Sequence, residues 1–453
     1  MAPHSEEDAP LLGGHSPVLQ TNASASQNVP RTVSVQFVFK IAAVMYSFAT
    51  LGLFNSSIGP LLPLILSQYH LSDLHVSLVF VVGPLGYITA AQTSPLIHHH
   101  LGQFGVALIG PVLQIIAAGL LSSHPYFGLV LVGFAVQGLG TGLLDGSWCA
   151  WAGSMEKAST VSGMLHGSYS AGAAAAPILV TLMTTNGYAW FEWYYVLVSR
   201  IESNSTLFKA DGLFQGALAI LDAVALIAAF WGETASVYRR THQSEETDDK
   251  AHSKAMLRFP ATWWCAAYFL ADVGVETAIS GWVVSFMLRS RSASPYLAGL
   301  SSSGFWAGMA AGRLVLGPLT DKIGVRKATA LYFAIAISIQ TLFAVLPYAI
   351  VSVVLMVVLG FVMGPLFPSG VIVLTQLLPK ELHVAAVSFV ASLGQIGGGL
   401  LPFGIGAVVE GLGIGVFRYA ILVQSILAML VWVAFSRLRP AVSTFERNSS
   451  HEY

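Results

Sequence analysis

Long apolar runs follow one another along most of this chain, separated by short polar connections. A helix needs roughly 20 apolar residues to cross a bilayer, so each run predicts one membrane-spanning helix. Twelve runs can be placed, near residues 38–66, 75–97, 103–123, 126–151, 160–184, 213–232, 260–288, 296–319, 327–347, 350–376, 383–408 and 414–436. The pattern therefore predicts an all-α membrane protein with twelve transmembrane helices.

The composition agrees with this pattern. The 453 residues are 55% hydrophobic and 9% charged, whereas soluble domains carry about 25% charged residues. The net charge is −1, so nothing indicates a nucleic-acid partner. Cys149 and Cys265 both lie in apolar runs, which argues against a disulfide framework or a thiolate metal site. We expect no cofactor and no bound metal.

A polar connector over residues 233–258 divides the runs into two sets of six, within 37–232 and 259–436. Residues 1–36 are polar and predict a disordered tail, and residues 437–453 form a second tail. Twelve spans place both termini on one side. All but five of the 21 Lys and Arg residues fall on that side, which the positive-inside rule makes cytosolic.

The segment "EEDAPLL" in the first tail fits an acidic dileucine sorting signal, or is an uninformative match. We therefore expect a multi-pass protein of the plasma membrane or the vacuolar membrane.

The two sets of runs echo each other. Gly86 precedes Gly102 by sixteen residues in the first set, as Gly308 precedes Gly324 in the second. "SAGAAAAP" and "QIGGGLLP" form a second match, each with a glycine five residues before a proline. Glycines are common in membrane helices, but two matches in one register favour a duplicated six-helix unit with close helix packing.

The loop "GPLTDKIGVRK" between the eighth and ninth runs resembles the signature loop of the major facilitator superfamily. Its pattern residues are Gly317, Asp321, Lys322, Gly324, Arg326 and Lys327. We expect Gly317 to permit close helix packing and Asp321 to cap a neighbouring helix N-terminus, where the dipole favours an anion. Arg313, just inside the eighth run, is predicted to be a gate or loop anchor rather than a substrate ligand. The alternative is a solvated basic loop.

The equivalent loop of the first half, "SPLIHHHLGQFG", has lost the acid, since His99 aligns with Asp321. Histidine side chains commonly bind metal ions, so three adjacent histidines make a metal site one candidate. They cannot all face one ion from a helix, so His98 to His100 predict an interfacial loop instead.

Further segments narrow the resemblance: "GLGTGLLDGSWCAWAG", "GMLHGSYSAGAAAAP", "DVGVETAISGW", "GFWAGMAAGRLVLG" and "GFVMGPLFPSGVIV". They resemble the fungal branch of fucose-permease-like facilitators, of the yeast bypass-of-stop-codon transporter type. The resemblance covers most of residues 40–436. It implies two pseudo-symmetric six-helix bundles and a small polar solute, a monosaccharide being the first candidate, moved with protons.

Four positions carry over from that family. Asp145 matches an acid of the fourth span, and His166 falls at a glutamine position. Asn55 replaces an aspartate, which puts proton coupling at this position in doubt. Cys149 replaces an asparagine, which puts sugar contacts at this position in doubt.

Four acids lie inside apolar runs: Asp145, Asp222, Asp272 and Glu276. A charge at the bilayer centre costs from about 2.5 to more than 10 kcal/mol, so such groups face water or a partner. The resemblance implies that spans one, four, seven and ten line a central cavity. We predict that Glu276 and Asp145 bind protons or substrate; the alternative is a carboxyl that only locks packing. For Asp222, in the sixth run, we favour packing.

Other candidate ligands are aromatic or polar. Flat faces that can stack on a sugar ring come from Trp282, Trp306 and Phe367, for which plain packing is an equal alternative. Asn55, His166 and Gln395 can supply hydrogen bonds to hydroxyl groups.

One segment, Val198–Gln215, interrupts the sixth run and places two basic residues on the outer side. We hypothesise a translated, unspliced intron, since Val198–Ser199 can be encoded by a splice donor and Phe214–Gln215 by an acceptor. The alternative is a real outer loop, glycosylated at Asn204.

The sequence thus predicts a monomeric transporter of a small solute, with protons and the lipid bilayer as its other partners, working by alternating access. It is not expected to be an enzyme, because no nucleophile–base pair or histidine box stands out. Two alternatives remain open: proton-driven efflux of toxins or secondary metabolites, and a nutrient sensor that keeps the fold without transporting.

Overall fold

The structure, a computed structural model, describes residues 35–155, 158–195, 215–242, 255–379 and 382–440. Across these ranges the regular structure is helical and no strand occurs. The helices are α1 (Val35–Gln68), α2 (Asp73–Val76), α3 (Leu78–Ser122), α4 (Phe127–Gly153), α5 (Ala158–Thr185), α6 (Gln215–Phe230), α7 (Ala235–His242), α8 (Pro260–Ser290), α9 (Pro295–Ile323), α10 (Val325–Val345), α11 (Ala349–Met363), α12 (Leu366–Leu377), α13 (His383–Leu412) and α14 (Phe417–Ser436). A 3₁₀ turn, Trp190–Tyr194, follows α5.

Eight helical stretches among the described residues are long and apolar enough to cross a membrane, and Gly216–Phe230 is a shorter apolar helix. Helices satisfy every backbone donor and acceptor internally, as a lipid environment requires. The chain is therefore a multi-pass membrane protein. The number of twelve spans and their division into two six-helix bundles stay predictions.

Three runs fold differently from simple rods. The second and third form one kinked helix, α3, broken at Gly102, whose φ of 72° suits a residue without a side chain. The tenth run forms two helices, α11 and α12, which separate at Gly364 and Pro365. This break lies in the middle of an otherwise apolar stretch, where discontinuous helices often mark a binding site.

We call residues 35–242 the N-half and residues 255–440 the C-half. In each half, the matched glycines make the same kind of contact. A Cβ atom on Gly86 would lie 2.2 Å from the Ala135 carbonyl oxygen, and one on Gly308 would lie 2.1 Å from that of Val357. These glycines therefore let α3 pack on α4, and α9 on α11, backbone against backbone.

The second matched pair behaves alike. A Cβ atom on Gly172 would lie 1.9 Å from the Ala49 carbonyl oxygen, joining α5 to α1. One on Gly397 would lie 1.9 Å from the Leu270 carbonyl oxygen, joining α13 to α8. The internal echo in the sequence thus corresponds to equivalent helix contacts in the two halves.

Basic residues at the end of the molecule that carries Arg289 have structural partners. Arg291 donates to the Phe343 carbonyl oxygen at 2.6 Å, and Arg418 donates to that of Ala344 at 3.0 Å. Both acceptors lie in the last turn of α10, where cations offset the helix dipole. These cations thus help to end a helix.

Several sequence predictions concern residues outside the described ranges: the sorting signal and most of the first tail, the segment Val198–Gln215 apart from its last residue, and the second tail beyond residue 440. The described helix α6 has 16 residues, short of the roughly 20 that a span requires.

Candidate functional site

The two halves meet through α1, α3 and α5 on one side and α8, α9 and α13 on the other. At one end, which we call the latch end, Arg289 forms an ion pair with Asp73, with nitrogen–oxygen distances of 2.5 and 2.9 Å. Next to it, the Leu74 backbone N–H donates to Glu410 at 3.3 Å. Both contacts join the N-half to the C-half.

The next layer inward is apolar. Phe80 of α3 packs against Trp282 of α8, and a Cβ atom on Gly281 would lie 2.6 Å from the Phe80 ring. Trp282 is fully buried and donates its indole N–H to the Pro402 carbonyl oxygen at 2.9 Å. Trp282, a predicted stacking residue, therefore lies in the packed layer of the latch end; its role as a ligand remains a prediction.

Deeper in the molecule, Asp145 is the centre of a polar cluster. The Tyr87 hydroxyl donates to one carboxylate oxygen at 2.7 Å, and Cys149 Sγ lies 3.6 Å from the other. Cys149 follows Asp145 by one helical turn on α4, so both point the same way. His166 of α5 lies beside them, with its Nε2 3.9 Å from Cys149 Sγ. Asp145, Cys149 and His166 are each half-buried.

A second polar chain crosses from the N-half to the C-half. Asn55 of α1 donates to the Tyr169 hydroxyl at 3.1 Å, and the Tyr169 ring packs edge-on against Trp306, 5.9 Å between centroids. The Trp306 indole N–H then donates to Ser280 Oγ at 2.9 Å. Asn55 and Trp306, two predicted site residues, are thus linked through a tyrosine.

The acids of α8 sit close to this chain. Asp272 is buried and Glu276 is half-buried, and the two interact electrostatically with each other. Glu276 also interacts with the Tyr169 hydroxyl. Within the described residues, neither carboxyl group takes part in a hydrogen bond. The two acids that the sequence places one turn apart therefore face one polar region.

Arg313 supplies the positive charge of this region. Its guanidinium donates to Ser170 Oγ at 2.5 Å and to the His166 carbonyl oxygen at 3.3 Å, both on α5. It also interacts electrostatically with Asp272 and Glu276. The residue predicted as a gate or loop anchor thus lies among the candidate ligands; a gating role remains a prediction.

The helix break in the tenth run brings an aromatic residue to the same place. Phe367 is the second residue of α12, and its ring lies 5.8 Å from His166 and 4.6 Å from Phe269, between centroids. Gln395, on α13, is half-buried and makes no hydrogen bond with the described residues. Phe367 therefore joins the cluster around His166, whereas contacts of Gln395 with the cluster are not seen.

Comparison with known proteins gives the same family as the signature loop. Residues 264–452 match the Major Facilitator Superfamily. The chain is also 28% identical over 429 residues to Bypass of stop codon protein 6 of Saccharomyces cerevisiae, an alignment that covers 88% of this chain and 82% of that protein. The resemblance predicted from the sequence is confirmed. It supports a membrane transporter of some solute rather than an enzyme, since members of the superfamily are generally transporters.

The signature loop marks the opposite end of the molecule, which we call the loop end. Gly324 has a φ of 90° and its N–H donates to the Thr320 carbonyl oxygen at 2.9 Å, which ends α9. Arg326 donates to the Leu438 carbonyl oxygen at 3.4 Å, so the loop is tied to the chain that leaves α14.

Two expectations for this loop differ from the structure. Gly317 was expected to permit close helix packing, but a Cβ atom there would meet no atom within 4 Å. Asp321 was expected to cap a helix, but it is exposed and makes no hydrogen bond or ion pair with the described residues. Lys322 and Lys327 are exposed as well. The physical reason is that, among the described residues, no hydrogen bond or ion pair joins the two halves at this end.

The corresponding loop of the N-half is held differently. His98 bonds to the Ser94 carbonyl oxygen at 2.9 Å and packs against Tyr238 of α7. The Phe104 backbone N–H donates to the Glu233 carbonyl oxygen at 3.0 Å, and the Glu233 side chain pairs with Lys40. Among the described residues, no group of His, Cys, Asp or Glu is arranged to hold a metal ion.

Asp222 lies apart from the cluster, between α6 and α1. It is 1% exposed and accepts a hydrogen bond from Ser47 Oγ at 3.0 Å. This arrangement joins two helices of the N-half and fits the packing role favoured from the sequence.

Sequence reasoning missed three hydroxyl groups that hold the cluster together: Tyr87, Tyr169 and Ser170. Tyr87 follows the matched Gly86, and Tyr169 and Ser170 lie in "GSYSAG", three and four residues after His166. These residues could have been found as polar residues near a glycine that packs against another helix. A close helix contact of this kind fixes the direction of the neighbouring side chains.

Proposed function

We propose that this protein moves a small polar solute, a monosaccharide in the first instance, across the membrane together with protons. Transport proceeds by alternating access of one central site, set between two six-helix bundles of twelve spans in total. Asn55, Asp145, His166, Glu276 and Phe367 form the site, with Arg313 at its edge. Asp272, Trp282, Trp306 and Gln395 remain candidate ligands.

The observation that carries this proposal is one cluster built from both halves. Asp145, Cys149 and His166 of the N-half and Arg313, Glu276 and Phe367 of the C-half come together there. Acidic residues inside membrane segments are costly unless they face water or partners. Side chains that are half-buried, rather than sealed in a core, support an accessible site at this depth.

The unequal ends of the molecule support alternating access. The latch end carries an ion pair and a packed aromatic layer, whereas beyond Arg313 towards the loop end no hydrogen bond joins the described residues of the two halves. This arrangement is that of a transporter open on one side. By the positive-inside rule we assign the loop end to the cytosol of a plasma or vacuolar membrane.

The chemistry of the cluster favours a hydroxylated solute. Carboxylate, amide, imidazole and phenol groups can each accept or donate to a hydroxyl group, and Phe367 offers an aromatic face. Acids that exchange between a dehydrated and a wetted state bind protons more tightly in the first state, which is what proton coupling requires.

Counterflow tests the solute. The purified protein is reconstituted into vesicles, and exchange of labelled sugars and metabolites is followed at two pH values. Exchange of a monosaccharide supports the proposal. Exchange of amphipathic aromatic compounds without sugars supports the efflux alternative, and absence of exchange for every compound supports the sensor alternative.

The proton role has its own test, Glu276→Gln. We expect this substitution to abolish accumulation driven by a pH gradient but to spare exchange, because an amide keeps hydrogen bonds but cannot carry a proton. Asp222→Asn is the matched control, since it removes a buried acid outside the cluster and should leave accumulation intact. Unchanged accumulation by the Glu276→Gln protein would rule out a coupling role.

We also propose that Val198–Gln215 derive from a translated intron. Removing them would join "YYVL" to "GALAILDAVALIAAFW" and lengthen α6, which has 16 residues, to the roughly 20 that a span needs. Sequencing of the dominant mature transcript decides the matter. A transcript that retains these codons supports the alternative, an outer loop.

A further inference from the structure

Arg313 is the last polar link between the two halves on the way from the latch end to the loop end. It reaches from α9 to Ser170 Oγ and to the His166 carbonyl oxygen of α5. Other inter-half hydrogen bonds between described residues lie nearer the latch end, as from the Ile178 N–H to Ser303 at 3.0 Å. The place where the halves begin to separate is therefore the place where Arg313 binds.

The backbone around Arg313 holds it there. A Cβ atom on Gly312 would lie 1.9 Å from the Phe361 carbonyl oxygen, and one on Gly364 would lie 2.8 Å from the Arg313 nitrogen. Such contacts fix the α9 backbone against α11 and the helix break. The guanidinium, on its flexible stem, is the part that can change partner.

Two acceptor sets compete for this guanidinium. Its Nη1 binds the α5 oxygens, whereas its Nε is buried and has no hydrogen-bond acceptor. Glu276, half-buried and without a hydrogen bond to the described residues, lies within its electrostatic reach. A planar fork with an unused donor is suited to a carboxylate.

We infer that Arg313 transmits the protonation of Glu276 to the contact between the halves. With Glu276 protonated, Arg313 binds Ser170 and the His166 carbonyl oxygen of α5, as observed. With Glu276 ionised, the guanidinium turns to the carboxylate and releases α5. The inference rests on the proposed proton coupling, and Arg313 acts in it as a positioning residue.

Other titratable groups around this switch are few. Asp272 on the same helix, Tyr169 on α5 and Arg313 on α9 interact with Glu276. His166 interacts with both Asp145 and Arg313. Helices α1, α12, α13 and α14 also pack against α8, and no titratable group of theirs among the described residues interacts with Glu276. Glu276 is therefore the acid placed to change the partner of Arg313, with Asp272 as its neighbour.

The test measures the distance between the halves at the loop end. Spin labels are attached through a bio-orthogonal amino acid at two exposed positions, Ser154 at the end of α4 and Gln376 at the end of α12. Pairwise distances are recorded in lipid nanodiscs at pH 5 and pH 8, with Cys149 and Cys265 left in place.

We expect the ratio of the two distance populations to change about tenfold between these pH values, the size of one charge-assisted hydrogen bond. Glu276→Gln should stay in the pH 5 distribution at both pH values. Arg313→Gln should lose the pH dependence, and Ser170→Ala should reduce the pH 5 population while leaving the guanidinium in place. Asp222→Asn should behave as the unsubstituted protein.

A full pH response in the Arg313→Gln protein, or none in the unsubstituted protein, would overturn the inference. Ser170→Ala keeps it testable if Arg313→Gln does not fold: an unaltered pH 5 distribution there also contradicts it. Counterflow separates this result from the proposed function. Sugar transport together with a pH response that does not depend on Arg313 would contradict only the inference. A pH response that depends on Arg313, without transport of any compound, would contradict only the proposed function.

Discussion

The two ends of the interface between the halves are held together by different kinds of contact. Between the cluster and the latch end, small residues bring backbones together: a Cβ atom on Gly59 would lie 2.3 Å from the Ser280 carbonyl oxygen. Asp73 and Arg289 pair further along α8, at the latch end itself. At the loop end, a Cβ atom on Gly163 or Gly317 would meet no atom within 4 Å, and Asp321 is exposed.

This difference separates two ways of holding the halves together. Close backbone contacts depend on shape, and no side-chain motion can relieve an added atom there. The polar links near the loop end depend on charge and on proton binding, so they can be remade. A transporter needs both, since one end must close while the other opens. Three predictions test this contrast, in order of expected effect.

The largest effect is expected from Gly59→Ala. The added methyl group would clash with the Ser280 carbonyl oxygen, and such overpacking costs about 1–3 kcal/mol. We expect a lower thermal unfolding midpoint and a larger distance between labels at His70 and Ser292 of the latch end. Gly163→Ala is the control: with no atom within 4 Å, it should leave both measurements unchanged or raise the midpoint slightly. Equal behaviour of the two variants would contradict the contrast.

A smaller effect is expected from the ion pair. The Arg289 and Asp73 side chains are 38% and 11% exposed, so water screens the pair and its contribution should be about 1 kcal/mol. Asp73→Asn should shift the latch-end distance distribution towards separation. The exchanged pair, Asp73→Arg with Arg289→Asp, should recover part of the shift; a double-mutant cycle measures the coupling. A coupling of zero would show that the pair does not hold the latch end.

The smallest effect on stability is expected from Asp321→Asn. Because Asp321 has no partner among the described residues, the free energy of unfolding should change by less than about 0.5 kcal/mol. Transport should nevertheless slow, since the cap predicted for Asp321 can form when the loop end closes. A marked loss of stability would mean that Asp321 already has a partner while the loop end is open.

Much of the site could be anticipated from residue types alone. Acids such as Asp145 and Glu276 stand out in apolar runs because membrane burial of charge is costly, and the structure places both in one cluster. Trp282 could not be placed in this way. An aromatic residue in a span packs or binds ligand with the same local sequence, and only its contacts with Phe80 and the Pro402 carbonyl oxygen show the packed layer.

The hydrogen-bond donor that compensates for Pro177 could not be identified from the sequence either. Proline lacks an N–H, so the Ala173 carbonyl oxygen four residues earlier loses its helical donor. Ser56 of α1 supplies that donor at 2.8 Å. The need for a substitute follows from the sequence, whereas its source depends on which helix lies alongside.

Hydrophobic periodicity by itself determined that this chain is helical and membrane-embedded, since local length and polarity decide whether a segment enters lipid. The signature loop indicated the resemblance to the major facilitator superfamily, and the paired glycines predicted an internal repeat. Only the tertiary structure decided that the latch end is closed, that Arg313 binds α5, and that Tyr87 and Tyr169 complete the cluster. Those contacts join residues far apart in the chain, and they depend on how the halves are inclined, which no local pattern encodes.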